Sequence, residues 1–151
     1  VLRVIREILY FTPQSKRTDI SMAIEHLNKI LKRKAIIFLI SDFMDMGFES
    51  ALSVTARKHD LIAIKITDER EEALTDSGVI ALEDAETGEV FYADTSSKSL
   101  RKKYWLHMQK KKNDLSELFK RSKIDQISLM TGKPYEDELI RFFKKRMRKF
   151  R

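Results

Sequence analysis

The strongest constraint on this chain comes from two apolar runs separated by a short helical stretch. In "KAIIFLISDF", residues 34–43, six of the seven residues from Ala35 to Ser41 are apolar. A run of that length and character reads as a strand covered on both faces, as in the interior of a parallel sheet. "DLIAIKITD", residues 60–68, is a second strand rich in β-branched residues. The intervening "GFESALSVTARKH" reads as a short helix. Strand, helix and strand with short joins make a right-handed crossover, which sets two parallel strands side by side. The first strand is therefore expected near the centre of its sheet, and it ends in Ser41-Asp42, a carboxylate at the carboxyl rim.

The rest of the chain extends this α/β pattern. "VLRVIREILY" has apolar residues at 1, 2, 4, 5, 8 and 9, which is helical spacing, and Pro13 breaks it. "DISMAIEHLNKIL" places Ile20, Ile24, Leu27 and Leu31 on one helical face, with Thr18-Asp19 as candidate caps. A charged loop, "EREEALTDSG", precedes two short strands in "VIALEDAETGEVFYADT", joined across Glu86-Thr87-Gly88 in a hairpin that wants a positive φ at Gly88. A long helix from about Ser97 to Lys120, a short strand in "IDQISLMT" and a terminal helix in "YEDELIRFFKKRMRKF" complete the pass. The expected class is α/β, a mainly parallel sheet with flanking helices and a β-hairpin insertion, in a single partial domain over residues 1–151.

The first apolar strand lacks a neighbour on its other side earlier in the sequence. Left bare, such an edge invites pairing with another chain, so self-association is expected. The chain opens on Val1 within a helical pattern rather than on Met, which is read as a fragment of a longer protein. No apolar run reaches the roughly 18–20 residues that a bilayer crossing needs.

Composition narrows the chemistry. With no cysteine there are no disulfides, thiolate nucleophiles or cysteine zinc sites, and the three histidines, His26, His59 and His107, are scattered. There is no Walker loop, no GxSxG elbow and no DxD pattern around Asp42, whose next acid, Asp45, stands three positions on. The chain is read as a non-enzyme. Its net charge of +7 is uneven: residues 1–95 hold 12 basic and 17 acidic side chains, residues 96–151 hold 18 and 6. A basic half of this kind offers an anionic surface or nucleic acid a partner, the alternative function. The preferred reading of "RFFKKRMRKFR" is nevertheless packing, with Phe142, Phe143, Met147 and Phe150 docking on the sheet beneath a basic outer surface.

Ligands of open α/β sheets gather at the carboxyl ends of the strands. If Thr18 enters its helix on the rim that carries Asp42, a hydroxyl and a carboxylate meet there. Both are hard oxygen donors of the kind Mg²⁺ or Mn²⁺ accepts, although two alone hold a metal poorly. Each residue also has a plainer reading, Asp42 in a turn and Thr18-Asp19 as a helix cap. His59 near a helix end, the acidic run Asp68, Glu69, Glu71 and Glu72, the turn acids Asp84 and Glu86, the Lys110–Lys112 run and Trp105 are all read as structural or solvated.

"KRTDISMAIEHLNKILKRKAIIFLISDF" resembles the second half of a von Willebrand factor A domain. With "ARKHDLIAIKITDERE", "DAETGEVFYADTSS" and "FFKKR" in the same order, the chain looks like the MoxR-associated von Willebrand factor A-like family of bacteria, domain of unknown function number fifty-eight. The resemblance implies a truncated von Willebrand factor A-like, Rossmann-like fold lacking its first strand. It also implies a metal-ion-dependent adhesion site to which Thr18 and Asp42 contribute. The Asp-x-Ser-x-Ser motif of such sites has no counterpart here, so Mg²⁺ or Mn²⁺ is expected in the intact protein and none in this chain alone. Further implications are a role as a protein-interaction adaptor working with a MoxR-type AAA+ ATPase and a cytoplasmic location. Tethering of the parent to the cytoplasmic face of the inner membrane is implied as well.

Overall fold

A computed structural model describes residues 2–12, 17–84 and 86–149. The Pro13 break, Val1 and Phe150 lie outside the described residues. In chain order the elements are α1 (Leu2–Tyr10), α2 (Ile20–Ile30), β1 (Ile36–Ser41), α3 (Glu49–Lys58), β2 (Asp60–Thr67) and α4 (Glu69–Glu72). They continue with β3 (Val79–Glu83), β4 (Val90–Asp94), α5 (Lys98–Arg121), β5 (Asp125–Met130) and α6 (Glu136–Lys149). This is a mixed α/β architecture: a parallel sheet ordered β1-β2-β5, a separate antiparallel β3-β4 ribbon, and flanking helices. Among the described residues no helix is long and apolar enough to cross a membrane.

One expectation is corrected. β2, not β1, is the central strand, and β1 is an edge. The pairings Ile36↔Asp60 to Ser41↔Lys65 and Ile62↔Asp125 to Thr67↔Met130 fix the register. Paired residues share a face, so one face carries Ile37, Leu61 and Ala63 and the other Ile36, Phe38, Ile62, Ile64 and Ile127.

The first face holds the main core. Ile20 and Ile24 of α2, Leu52 of α3, and Leu118 and Phe119 of α5 close over Ile37, Leu61 and Ala63. Leu52 is 0% exposed and Phe119 1%, each worth roughly 1.5–3 kcal/mol of burial. Polar bonds tie the covering helices together. Asn28 Nδ2 donates to Thr55 Oγ1 at 2.7 Å, joining α2 to α3, and the Ser53 and Ser122 hydroxyls meet at 2.8 Å, joining α3 to α5.

On the second face, the helix that packs among the described residues is α6. Leu139 and Phe142 pack on Ile62, Ile64 and Ile127. Arg146 bonds Asp125 at 2.8 Å and also Asp60, clamping the helix end to the start of β2 and β5. The docking expected of the terminal aromatics therefore holds for Phe142, whereas Phe143 and Met147 stay exposed. No residue of α1 is buried.

One local feature departs from the sequence expectation and another meets it. The acidic run after β2 is a single helical turn, because Asp68 accepts from Arg70 N and Glu71 bonds back to Asp68 N in a capping box. In the hairpin, Asp84 Oδ1 accepts from Glu86 N and Thr87 N, both at 2.8 Å, and Gly88 takes φ +74° as the turn requires.

Candidate functional site at the carboxyl rim of β1

The rim forms where β1 runs into residues 42–47. Asp42 Oδ1 accepts from Met44 N at 3.0 Å and from the Ser41 hydroxyl at 3.4 Å, while Ser41 Oγ accepts from Phe43 N at 3.0 Å. The turn reading of Asp42 is thus realised. Phe43 adopts φ +58°, a left-handed conformation costing about 1–3 kcal/mol for a bulky side chain. Its ring is nonetheless buried, 5.3 Å from the Phe119 centroid and 5.9 Å from that of Phe48. Core packing thereby holds a strained backbone immediately after Asp42.

Asp45, three positions on, reaches across to α2. Its Oδ2 accepts from Ile20 N at 2.8 Å and its Oδ1 from Met46 N at 2.7 Å. Asp19 caps the same helix through Met22 N at 2.7 Å, as expected. The Ile20–Asp45 bond fastens the entry of α2, where Thr18 lies, to the loop that begins with Asp42. Thr18 and Asp42 are both exposed and share no hydrogen bond. A third segment joins them: Thr18 N donates to Glu86 Oε1 at 2.9 Å, bringing the hairpin turn to the α2 entry.

Behind the rim lies a cleft of about 130 Å³ lined by Lys65, Glu72, Lys112, Gln126 and Ser128, among others. Burial pushes the Lys65 amine below its ordinary value and Lys112 adds to the shift; Glu72, Glu71 and Asp42 oppose it. Lys112 is itself bonded to Glu72 at 2.9 Å.

These oxygens do not complete a cation site. Among the described residues no group of three or more His, Asp or Glu side chains is placed to hold a metal. One Asp42 oxygen and both of Asp45 already accept hydrogen bonds, and Lys65 brings positive charge to the neighbourhood of Asp42.

Other candidates resolve into structure. His59 is buried and its Nδ1 accepts the Ala35 N–H at 3.3 Å. Asp68 accepts from the Thr131 hydroxyl, and Lys110 and Lys111 are exposed. Trp105, read as a packing residue, is 48% exposed, whereas the adjacent Tyr104 hydroxyl donates to Glu71 O at 2.8 Å. Sequence reasoning missed Asp45 and Glu86 as parts of the rim. Asp45 could have been suspected from its place in a glycine-ended loop before a helix; Glu86 left no signal, because its bond spans 68 positions.

The chain's first three quarters, residues 1–114, match the family model described as protein of unknown function DUF58. The chain belongs to this family. It is similar to the uncharacterized protein MAV169 of Mycobacterium avium, 28% identical over 137 residues, covering 90% of this chain and 80% of that protein. It is also 28% identical over 139 residues to the uncharacterized protein Rv1480 of Mycobacterium tuberculosis and to Mb1516 of Mycobacterium bovis. There it covers 90% of this DUF58 chain but only 43% of each relative. No solved structure matches the chain significantly.

Proposed function

We propose that this DUF58 chain is a non-enzymatic interaction module of the von Willebrand factor A-like kind, presenting the carboxyl rim of β1 to a partner protein. The observation that carries the reading is the Ile20 N–Asp45 hydrogen bond, which ties the Thr18 loop to the Asp42 loop while both side chains face solvent. Family membership over residues 1–114 supports it. A strained Phe43 beside Asp42 supports it too, since strain of this kind clusters where a loop is held for binding.

In the longer protein, Thr18 and Asp42 would be two ligands of a Mg²⁺ or Mn²⁺ site whose remaining ligands come from outside these residues. The cation would present an open position to an acidic residue of the partner. The proposed partner is a MoxR-type AAA+ ATPase. The test measures Mg²⁺-dependent association of a longer protein containing this chain with such an ATPase. Asp42→Ala and Thr18→Ala should each weaken it at least about tenfold. Association indifferent to both Mg²⁺ and Asp42 would refute the reading. The same preparation titrated with duplex DNA at rising salt separates the rival: steeply salt-dependent binding would transfer the function to the basic face of α5 and α6.

A further inference from the structure

We infer that the cleft behind the rim is a binding site for a small carboxylate, seated on the Lys65 ammonium and the hydroxyls of Thr67 and Ser128. The inference is independent of the interaction-module reading and needs no cation.

The site follows from the register of the sheet. Lys65 stands directly opposite Ser128 of β5, and Thr67 and Gln126 lie two positions away on their strands. Side chains alternate along a strand, so these four project from one face. They do so toward the carboxyl ends of the strands, where open α/β sheets take their ligands. The apolar row of Leu61 and Ala63 on β2 stops just before Lys65. Above the patch, α5 supplies Lys112 and Leu115, and α4 supplies Glu72. Every wall comes from residues 65–130, and the cleft lies over the β2–β5 pair, away from the β1 edge.

Its hydrogen-bonding groups are unbalanced toward donors. Gln126 Nε2 donates to Ser128 Oγ at 2.9 Å, which leaves the Ser128 proton for another acceptor. Lys112 gives one of its three N–H groups to Glu72, at 2.9 Å. Among the described residues the Lys65 ammonium and the Thr67 hydroxyl have no hydrogen-bond partner. A lysine only donates, so what satisfies Lys65 must bring lone pairs.

Charge narrows the ligand further. Lys65 and Lys112 set against Glu72 leave the lining with a single net positive charge. Glu71 and Asp42 act on Lys65 from outside the cleft, and each already accepts a backbone N–H, from Asp68 at 3.4 Å and from Met44 at 3.0 Å. A singly charged oxyanion therefore balances the site, whereas a phosphate dianion overfills it. The cleft of about 130 Å³ is about ten times the 10–15 Å³ that one water needs, enough for a carboxylate with a short carbon stem. Leu115 and Met130 offer that stem an apolar wall. Burial and Lys112 both disfavour the charged Lys65 amine, and a bound carboxylate offsets both. A lysine that costs stability at the end of a central strand is the kind of residue that binding retains.

The test is an NMR titration of the purified chain with acetate, replacing chloride at constant ionic strength and neutral pH. Saturable shifts confined to the surroundings of Lys65, Thr67 and Ser128 are expected, with a midpoint on the order of 10 mM. Lys65→Met should raise that midpoint at least about tenfold, and Ser128→Ala about threefold. Glu72→Gln should lower it about threefold, because the opposing charge is removed and Lys112 is released. Acetate should also raise the pH at which the Lys65 side chain titrates, read from its own carbon resonances. Replacing acetate by N-acetylglutamate α-amide identifies the source of the carboxylate. Tighter binding than acetate assigns the cleft to a glutamate side chain of a partner, and weaker binding assigns it to a free small acid. Shifts that do not saturate, or a midpoint unchanged in folded Lys65→Met, overturn the inference. So does weaker binding by Glu72→Gln, or inorganic phosphate binding more tightly than acetate.

Discussion

On one face of the β1-β2-β5 sheet, Ile37, Leu61 and Ala63 lie beneath α2, α3 and the end of α5. On the other, α6 covers Ile62, Ile64 and Ile127 and leaves the β1 row of Ile36, Phe38 and Ile40 exposed. The second face is the more apolar in sequence, since Ser41, Lys65, Thr67, Gln126 and Ser128 fall on the first, yet among the described residues the first is the better covered. An apolar strand face is thus a demand for cover that this chain meets once and leaves half met the second time. The same edge of the molecule carries the open backbone of β1 and the loop of Asp42.

The largest effect expected from this difference is in core truncation. Leu52→Ala should cost about 2–5 kcal/mol and Phe119→Ala about 3–5, since both side chains are fully enclosed on the finished face. Ile40→Ala, 63% exposed on the unfinished face, should cost less than about 1 kcal/mol in dilute solution. Urea unfolding of the three variants decides the matter. Comparable losses for Ile40→Ala and Leu52→Ala would mean that the second face is covered in solution.

The strands, their parallel crossover, the hairpin with its Gly88 turn and the long α5 were legible to within a residue or two, because each is written in side-chain periodicity or turn chemistry. The bare outer edge of β1 was expected from its missing earlier neighbour, but that β2 rather than β1 takes the centre of the sheet was not. Central and edge strands differ in what bonds to their backbone, and Ile36, Phe38 and Ile40 read alike in either setting. The one-turn α4 was readable in principle, since Asp68 followed by Glu71 is a capping-box spacing, but four residues are too few to show a helical period. Of the rim, Thr18 and Asp42 were legible as residue types at element ends. The Asp45 bond to Ile20 and the Glu86 bond to Thr18 depend on contacts 25 and 68 positions apart, which no local pattern encodes.

A second, smaller effect concerns what holds α6 to the unfinished face. The Arg146 side chain is 12% exposed and bonds Asp60 and Asp125, whose own side chains are 29% and 34% exposed. Arg146→Met keeps most of the apolar stem and leaves two carboxylates facing each other without their shared cation. Removing one partner of a fully buried pair costs about 3–5 kcal/mol, and the partial exposure here reduces the expectation to about 2–3. Hydrogen exchange should show the loss concentrated in α6 and β5, with α3 on the finished face retaining its protection. Uniform loss of protection across both faces would show that the faces are not separable units.

The smallest effect tests the finished face at the point where it carries a charge. Lys65 lies on the same side of β2 as Leu61 and Ala63, and burial disfavours its ammonium form, with Lys112 acting in the same direction. A lysine whose folded value falls below the unfolded one, near 10.5, destabilises the fold while charged in both states. As pH rises through the folded value toward 10.5, the unfolded chain holds the proton that the folded chain has released, so this penalty is relieved and stability gains. Lys65→Met should therefore be more stable than the wild type at neutral pH, by less than about 1 kcal/mol because the site is partly open to solvent. The advantage should shrink as pH approaches 10.5. A wild type that is the more stable protein at neutral pH would show that Glu72, Glu71 and Asp42 outweigh desolvation. The rim beside Asp42 would then be held together by Lys65 rather than merely tolerating it.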